Sequence, residues 1–142
     1  MKGCPFCNLE NIRNQMFYKD EKFYGLYNIK PILSGHSLLI PKRHIEHLFD
    51  LDEDESRLLL PMLKKITKAL LKAYETENFD LSLQEGRPAG QMVSHLHIHI
   101  IPRKSGDLKE DWPEAIRKRE RRERISDEEI KENVEKIKRE FK

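Results

Sequence analysis

The stretch GQMVSHLHIHIIPR, residues 90–103, places a histidine at every second position of an apolar run. Successive side chains of a β-strand point to opposite faces, so His95, His97 and His99 should share one face. With a rise of roughly 3.3 Å per residue, neighbouring rings would lie about 6.6 Å apart and the outer pair about 13 Å apart. A regular strand therefore cannot bring all three to one metal ion. The spacing favours a chemical role for the middle ring and other tasks for the outer two.

The composition fits one charge-rich domain. The chain has 142 residues, which suits a single core. Charged residues make up 37% of it, yet the net charge is only +2, which implies no obligatory nucleic-acid partner. No window approaches about eighteen consecutive apolar residues, and the N-terminus lacks the apolar core of a signal peptide. We therefore expect a cytoplasmic protein with no membrane partner.

Four apolar runs predict β-strands. The first two, 23–29 and 36–41, are separated by Pro and Gly turn residues. The other two, 79–85 and 93–102, follow a long helical segment and flank the loop GRPAG. These runs predict a mostly antiparallel sheet that carries one long helix.

Capping residues predict where two helices begin. Asp52 and Glu55 fit a capping box at the start of the long helix. Pro61 lies inside this helix and should kink it or leave one carbonyl unpaired. Ser126 and Glu129 form a second capping pair, which predicts a C-terminal helix. Its apolar stripe, which must pack on this domain or on a second copy, comprises Ile130, Val134, Ile137 and Phe141.

Both cysteines, Cys4 and Cys7, lie in one C-x-x-C motif. In a reducing compartment this spacing indicates a metal site or a redox pair rather than a structural disulfide. A redox pair lacks the expected βαβ surroundings here, and two ordinary free thiols are the remaining alternative. With His44 and one histidine of the 95–99 group, the cysteines make a Cys2His2 set suited to Zn²⁺. His47 competes with His44 because H-x-x-H also has ligand spacing.

The stretch 90–103 resembles the signature of the histidine triad (HIT) family of nucleotide hydrolases and transferases. The resemblance extends to NIKPILSGHSLLIPKRH, residues 28–44, and to LSLQEG, residues 81–86, with weaker similarity at 103–108 and 126–130. The Fhit branch, which cleaves diadenosine polyphosphates, is the most similar. The resemblance implies an α+β, HIT-like fold: an antiparallel five-stranded sheet with one long helix and a C-terminal helix. It also implies a homodimer.

The resemblance assigns catalytic roles to four side chains. It makes His97 the nucleophile, whose neutral imidazole attacks the α-phosphorus to give a nucleotidyl-histidine intermediate that water hydrolyses. His99 would donate to phosphate oxygens, and His36 would reach the same phosphate from the neighbouring strand. Gln84 matches the position whose amide contacts the α-phosphate or the bridging oxygen.

The same resemblance outlines the substrate pocket. Gln91 and the backbone amides of 91–93 would form a cradle for developing charge. Asn28 corresponds to the residue that binds ribose hydroxyls, although an Asn here is also a common turn residue. Met92 stands where the family often has Ser or Thr, a hydroxyl that assists at the leaving group, so the rate and leaving-group preference should differ. The base pocket is assigned to Leu26, Ile29 and Leu38.

In zinc-bearing members of the superfamily the ligands correspond to Cys4, Cys7, His44 and His95, in a closed structural site. Mg²⁺ or another divalent ion is expected only with the substrate polyphosphate. We expect residues 1–104 to form the catalytic domain and residues 105–142 to form a charged connector and a C-terminal helix that packs on it. Basic side chains of the connector suit a polyphosphate, although such runs are more often a solvated face. They are Lys104, Lys109, Arg117, Lys118, Arg119, Arg121 and Arg122.

The implied substrates are dinucleoside polyphosphates, such as diadenosine tri- or tetraphosphate, or adenylated small molecules. Three alternatives stay open: a phosphorylase that uses phosphate in place of water, a Hint-like phosphoramidase, and a non-catalytic nucleotide-binding signalling module. A metal-dependent oxygenase is disfavoured because the strand spacing prevents a common metal centre and the required carboxylate is not evident.

Overall fold

The computed structural model describes residues 3–108, 111–112 and 122–141. Short 3₁₀ turns lie at Leu48–Asp50, at Arg87–Ala89 and, after the last helix, at Arg139–Phe141. In chain order the elements are α1 (Leu9–Ile12), β1 (Met16–Lys19), β2 (Phe23–Tyr27), β3 (Ser37–Pro41), α2 (Glu53–Ala73), β4 (Asn78–Leu83), β5 (Ile98–Arg103) and α3 (Asp127–Lys138). The sequence runs did not predict α1 or β1.

The five strands form one antiparallel sheet in the order β1-β2-β3-β5-β4. The last strand, β5, is therefore central, and its His99 pairs with Leu38 of β3 on one side and Ser82 of β4 on the other. This arrangement confirms the predicted α+β fold with a five-stranded antiparallel sheet. It leaves β1 and β4 as the edges.

Helices α2 and α3 cover one face of the sheet. Ile66 and Leu70 of α2 and Ile130 and Ile137 of α3 are buried in one cluster. Burying side chains of this size contributes about 1.5–3 kcal/mol each. From the strands the cluster takes Phe23, Leu39, Ile98 and Ile100.

The opposite face of the sheet carries α1. Ile12 of α1 packs there with Leu26 of β2 and with Leu38 and Ile40 of β3. Because paired residues of neighbouring strands project to the same side, His99 lies on this face with Leu38. The face covered by α2 and α3 thus forms the main core, and the face with α1 is the one available for a ligand site.

The long helix begins as predicted and runs through its proline. The Asp52 carboxylate accepts from the Glu55 amide at 2.8 Å and Glu55 accepts from the Asp52 amide at 2.9 Å, which completes the capping box. Pro61 does not interrupt the helix, since α2 continues to Ala73. Burial of the following turns against the core outweighs the backbone hydrogen bond that a proline removes.

The strand that carries the histidines is shorter than predicted. It begins at Ile98 rather than at residue 93, because the preceding backbone bonds elsewhere. The Leu96 amide donates to the Ile45 carbonyl at 2.7 Å, and the His95 amide donates to the Val93 carbonyl at 2.8 Å. The prediction that all three histidines lie on one strand is therefore wrong for His95 and His97, and only His99 lies within β5.

The C-terminal region returns to the sheet through a backbone hydrogen bond from the Ile125 amide to the Ile29 carbonyl, 2.9 Å long. The Ser126 hydroxyl then caps α3 by accepting from the Glu129 amide. Several basic residues of the connector lie outside the described residues, namely Lys109, Arg117, Lys118, Arg119 and Arg121. In the described part of the chain no helix is both long and apolar enough to span a bilayer.

Candidate functional site

A pocket of about 530 Å³ opens on the sheet face that carries α1. Its floor includes Leu38 of β3 and His99 of β5, beside His36 and His97. Asn28 at the end of β2 also lines it. A volume of this size is typical of a small-molecule site.

The backbone fixes the proton on His97. Its Nδ1 lies 2.7 Å from the His95 carbonyl oxygen, which can only accept a hydrogen bond. Nδ1 therefore carries the proton, and in the neutral ring Nε2 keeps its lone pair. The sequence prediction of an imidazole with a free nucleophilic nitrogen requires this tautomer.

The opposite tautomer follows for His99. The Ile32 amide donates to His36 Nδ1 at 3.0 Å, so the neutral His36 ring carries its proton on Nε2. His36 Nε2 lies 2.9 Å from His99 Nδ1 and donates to it. His99 then carries its own proton on Nε2, which makes that nitrogen a hydrogen-bond donor. The chain turns at Gly35, just before His36, with a φ of 95° that favours glycine. A Cβ at Gly35 would lie only 2.8 Å from the Pro102 side chain.

His36 differs in one respect from the expectation. It is 1% exposed, and both of its ring nitrogens bond to the protein. We therefore assign it to positioning His99 rather than to direct phosphate contact. Its burial follows from the tight turn at Gly35, which brings the ring under the Ile32 amide.

Asn28 makes the turn contact considered from the sequence and also lines the pocket. Its Oδ1 accepts from the Lys30 amide at 2.9 Å, which is the turn contact. Its Nδ2 lies 3.2 Å from His36 Nε2, and the residue lines the pocket. The turn thus holds the side chain beside the histidines.

In the loop before His95, the Gln91 side chain that was expected to bind phosphate forms hydrogen bonds within the loop instead. Gln91 Oε1 accepts from the Gly86 amide at 2.7 Å, and its Nε2 donates to the Val93 carbonyl at 3.0 Å. The Gln91 amide also donates to Gly86. Gly90 and Met92 line the pocket, and among the described residues nothing accepts from the Met92 or Val93 amide. The cradle available to a ligand is therefore narrower than predicted.

Two predicted substrate contacts lie outside the pocket wall. Leu26 is fully buried in the cluster beneath α1, because its side chain packs between Ile12 and Leu38. Gln84 follows Leu83, the pairing partner of Ile98, so its backbone is close to His97 although it does not line the pocket. Of the predicted base-pocket residues, Ile29 and Leu38 do line it.

Several pocket residues were missed by the sequence predictions. Phe6 lies between the two cysteines and packs edge-on against His97, with ring centroids 5.3 Å apart. Its position inside CPFC was a usable signal. Arg124 comes from the segment before α3 and is brought to the pocket by the Ile125 backbone bond, for which the sequence holds no signal. The other missed lining residues are Pro5, Asn11, Ile12, Gln15 and Lys30.

Four predicted metal ligands lie together beside this pocket. The ligand atoms of Cys4, Cys7, His44 and His95 are all within 4.8 Å of one another. His95 Nδ1 lies 3.4 Å from Cys4 Sγ and 3.5 Å from Cys7 Sγ, and His44 Nδ1 lies 3.3 Å from Cys7 Sγ. Tetrahedral Zn²⁺ with ordinary bond lengths separates sulfur and nitrogen ligands by about 3.6 Å. The donor set and its spacing therefore fit such an ion.

Hydrogen bonds around the cluster determine which histidines can act as its ligands. His95 Nε2 lies 2.8 Å from the Pro41 carbonyl, which leaves Nδ1 for a metal. Burial lowers the pKa of His95, which favours the neutral ring that a metal ligand must have. His47 instead lies 2.8 Å from the Glu85 carboxylate. That contact raises the pKa of His47, and the structure thus places His44, not His47, in the cluster.

The chain resembles proteins of one family over most of its length. The HIT domain matches residues 10–106. A bis(5'-nucleosyl)-tetraphosphatase [asymmetrical] of Schizosaccharomyces pombe is 37% identical over 100 residues, which are 70% of this chain and 55% of that protein. The matched region thus spans about half the length of that relative.

Solved structures extend the similarity to the whole fold. A hypothetical histidine triad nucleotide-binding protein of Sulfolobus tokodaii is 31% identical, with a TM-score of 0.80 over 97% of this chain and 91% of that one. A zinc-bound histidine triad family protein of Mycobacterium smegmatis is 25% identical, with a TM-score of 0.77 over 98% of this chain and 93% of that one. Because the HIT domain matches more than half of the residues of this chain, the chain belongs to the HIT family.

Proposed function

We propose that this protein is a nucleotide hydrolase that cleaves dinucleoside polyphosphates, such as diadenosine tri- or tetraphosphate, through a nucleotidyl intermediate on His97. The observation that carries the proposal is the 2.7 Å hydrogen bond from His97 Nδ1 to the His95 carbonyl. A neutral imidazole held in this way has an unprotonated Nε2 in a ligand-sized pocket. The activity in the name of the Schizosaccharomyces pombe relative supports the same reaction class.

The chemistry proceeds in two displacements. His97 Nε2 attacks the α-phosphorus in line, forming a P–N bond as the bond to the bridging oxygen breaks and the electron pair leaves with the remaining phosphates. His99 donates from Nε2 to a phosphoryl oxygen, where negative charge is concentrated. Water then attacks the phosphorus and breaks the P–N bond, which releases a nucleoside monophosphate and restores His97.

Substrate binding is proposed to use the remaining predicted residues unequally. Asn28 binds the ribose, and Ile29 and Leu38 contact the base, since all three line the pocket. The Met92 and Val93 amides take over the cradle assigned to Gln91, whose side chain is held within its loop. Gln84, which follows the pairing partner of Ile98 and so lies near His97, is proposed to contact the phosphates from that side.

We propose that the Cys4, Cys7, His44 and His95 cluster binds one structural Zn²⁺. The 3.3–3.5 Å sulfur–nitrogen distances support this assignment, as does the zinc in the Mycobacterium smegmatis neighbour. Protein purified without added zinc should contain about one equivalent per chain. A metal content near zero, with both thiols titrating freely, would refute the zinc site. The free thiols also suit a reducing, cytoplasmic location.

We also propose a homodimer that forms along β4. This strand is a sheet edge, and its Phe79 and Leu81 are 46% and 41% exposed. An edge strand with exposed large apolar side chains is normally covered by a partner. A second copy would extend the sheet and bury both side chains.

Chromatography of reaction products tests the hydrolase directly. Wild type, His97→Ala and a control, His47→Ala, are incubated with diadenosine tri- and tetraphosphate, with and without inorganic phosphate. We expect AMP from wild type and the control, and no turnover by His97→Ala despite retained binding. ADP formed only in phosphate would indicate the phosphorylase instead. Tight nucleotide binding without any cleavage by wild type would indicate the non-catalytic module.

A further inference from the structure

The segment between the two cysteines is also a wall of the nucleotide pocket. Pro5 and Phe6 lie between Cys4 and Cys7, and both line the cavity. The cysteines at either end belong to the candidate metal cluster. Two binding sites therefore share one stretch of four residues.

Phe6 contacts the proposed nucleophile and a metal ligand at once. Its ring centroid lies 5.3 Å from that of His97 and 5.7 Å from that of His95. The interplanar angles are 72° and 84°, an edge-to-face arrangement that is favourable for aromatic pairs. The Phe6 ring therefore limits how far either imidazole can turn.

A second connection runs through the backbone. His95 approaches both cysteines with Nδ1 while its carbonyl holds His97 Nδ1 at 2.7 Å. Any shift of His95 towards or away from the cysteines therefore moves the acceptor that fixes the His97 tautomer. The ring and the backbone thus transmit the state of the cluster to the same imidazole.

Two kinds of contact hold this segment. Its turn is closed by the Cys7 amide, which donates to the Cys4 carbonyl at 3.2 Å, and the Phe6 side chain packs against the cluster that contains Ile12 and Leu38. Sulfur–nitrogen contacts of 3.3–3.5 Å at the two flanking cysteines are weak without a metal, whereas thiolate and imidazole bonds to one are strong. Metal binding therefore adds to the apolar packing in placing Pro5 and Phe6.

We propose that Phe6 is a positioning residue that couples metal binding at the Cys4, Cys7, His44 and His95 cluster to nucleotide binding and to the orientation of His97. The inference rests on the proposed function for its nucleotide, and it adds a linkage between the two sites. Because coupling between two ligands is reciprocal in their affinities, a nucleotide that packs against Pro5 and Phe6 must also tighten metal binding, and we expect the tighter binding to appear as slower metal loss.

Metal release measures this linkage. Zinc-loaded protein is mixed with a chromophoric chelator, with and without saturating AMP, for wild type, Phe6→Leu and the control Phe49→Leu, whose ring is 93% exposed. We expect AMP to slow zinc release about tenfold in wild type and the control, and to have no effect in Phe6→Leu. Equal slowing in Phe6→Leu, or none in wild type that binds AMP, would overturn the coupling.

Ring ¹⁵N resonances of the histidines separate the coupling from the hydrolase. Removal of zinc and the Phe6→Leu substitution should each shift the His97 signals, and Phe6→Tyr, which keeps the aromatic edge, should restore them. His97 signals that ignore both changes would overturn the positioning role even if hydrolysis is found. If calorimetry shows that AMP does not bind at all, the proposed function fails, while shifted His97 signals still support the link to the metal cluster.

Discussion

The imidazoles of His97 and His99, whose centroids lie 5.0 Å apart, receive opposite hydrogen-bonding roles from their backbone contacts. A carbonyl acceptor places the proton of His97 on Nδ1, whereas an amide donor acting through His36 places the proton of His99 on Nε2. One ring then presents a lone pair and its neighbour a donor, at the same side of the sheet. This pairing of a lone pair with a hydrogen-bond donor suits the proposed phosphoryl transfer.

Substitution of His36 tests whether this residue fixes the tautomer of His99. Removing a hydrogen-bond donor to developing charge costs roughly 10²–10³-fold in kcat. His36→Phe leaves the His99 donor in place but frees its tautomer, so we expect a smaller loss of kcat, about tenfold, with little change in KM. His47→Gln, at an exposed histidine outside the pocket, serves as the control. Unchanged kcat in His36→Phe would contradict the positioning role.

Single residues show where sequence patterns stop being informative. The cysteine pair and the alternating histidines were noticeable in the sequence because their spacing and residue types carry chemistry, and the structure brings the four predicted metal ligands together. Leu26 and Gln91 were assigned to the ligand because nothing in a sequence distinguishes a side chain that faces a pocket from one held by its own loop. Gln91 bonds to Gly86 and Val93, and only the folded loop reveals that.

At the scale of elements, the start of β5 explains why a two-residue alternation gave an incomplete prediction. The alternation is present from Ile98 onward, where β5 pairs with β4 along its whole length and with β3 over its first three residues. Upstream, the Leu96 amide bonds to Ile45 and the His95 ring to Pro41. Those partners are distant in sequence, so the departure of His95 and His97 from the strand could not be predicted from local periodicity.

The other end of β5 is closed by an ion pair. Arg103 Nε and Nη2 lie 2.7 and 2.9 Å from the Asp107 carboxylate, which also accepts from the Lys104 amide at 2.8 Å. The Arg103 contact, followed by the amide, holds the pKa of Asp107 below its usual value of 3.8. The pair therefore contributes to stability while Asp107 is ionised.

Unfolding measured against pH tests this contribution. Because the folded pKa of Asp107 is depressed, its stabilisation is complete above the unfolded pKa and is lost as pH falls through the folded pKa. We expect Asp107→Asn to lower the free energy of unfolding by about 1 kcal/mol at pH 6, after discounting for solvent screening. The difference should shrink below pH 3.8. Glu77→Gln is the exposed control, and a difference that is independent of pH would contradict the ion-pair account.

At the scale of the whole molecule, the pocket joins segments that are far apart in the chain. Phe6 comes from the N-terminal segment and Arg124 from the segment before α3, and both lie outside the 10–106 family match. The long helix and four of the five strands were predictable from periodicity, and the five-stranded count came from the family resemblance. The closing of the pocket by the two outer segments was not, since it depends on tertiary contacts such as the Ile125–Ile29 hydrogen bond.

The proposed dimer also belongs to this scale. Leu81→Arg places a charge at the exposed β4 edge, where a second copy would bury it, so we expect the variant to sediment as a monomer at concentrations at which wild type is dimeric. The control is Leu9→Arg, at an exposed leucine of α1 that lies outside β4 and is 55% exposed, compared with 41% for Leu81. A wild type that sediments as a monomer, or a Leu81→Arg dimer, would argue against β4 as the interface.

The covalent intermediate on His97 is the central claim, and the stereochemistry at phosphorus tests it most directly. Each in-line displacement inverts the phosphorus, so attack by His97 followed by attack by water must give net retention. A dinucleoside polyphosphate with a chiral α-phosphorothioate is hydrolysed in ¹⁸O-labelled water and the configuration of the product is determined. Retention is the predicted result. Inversion would mean that water attacks directly and that His97 is not the nucleophile.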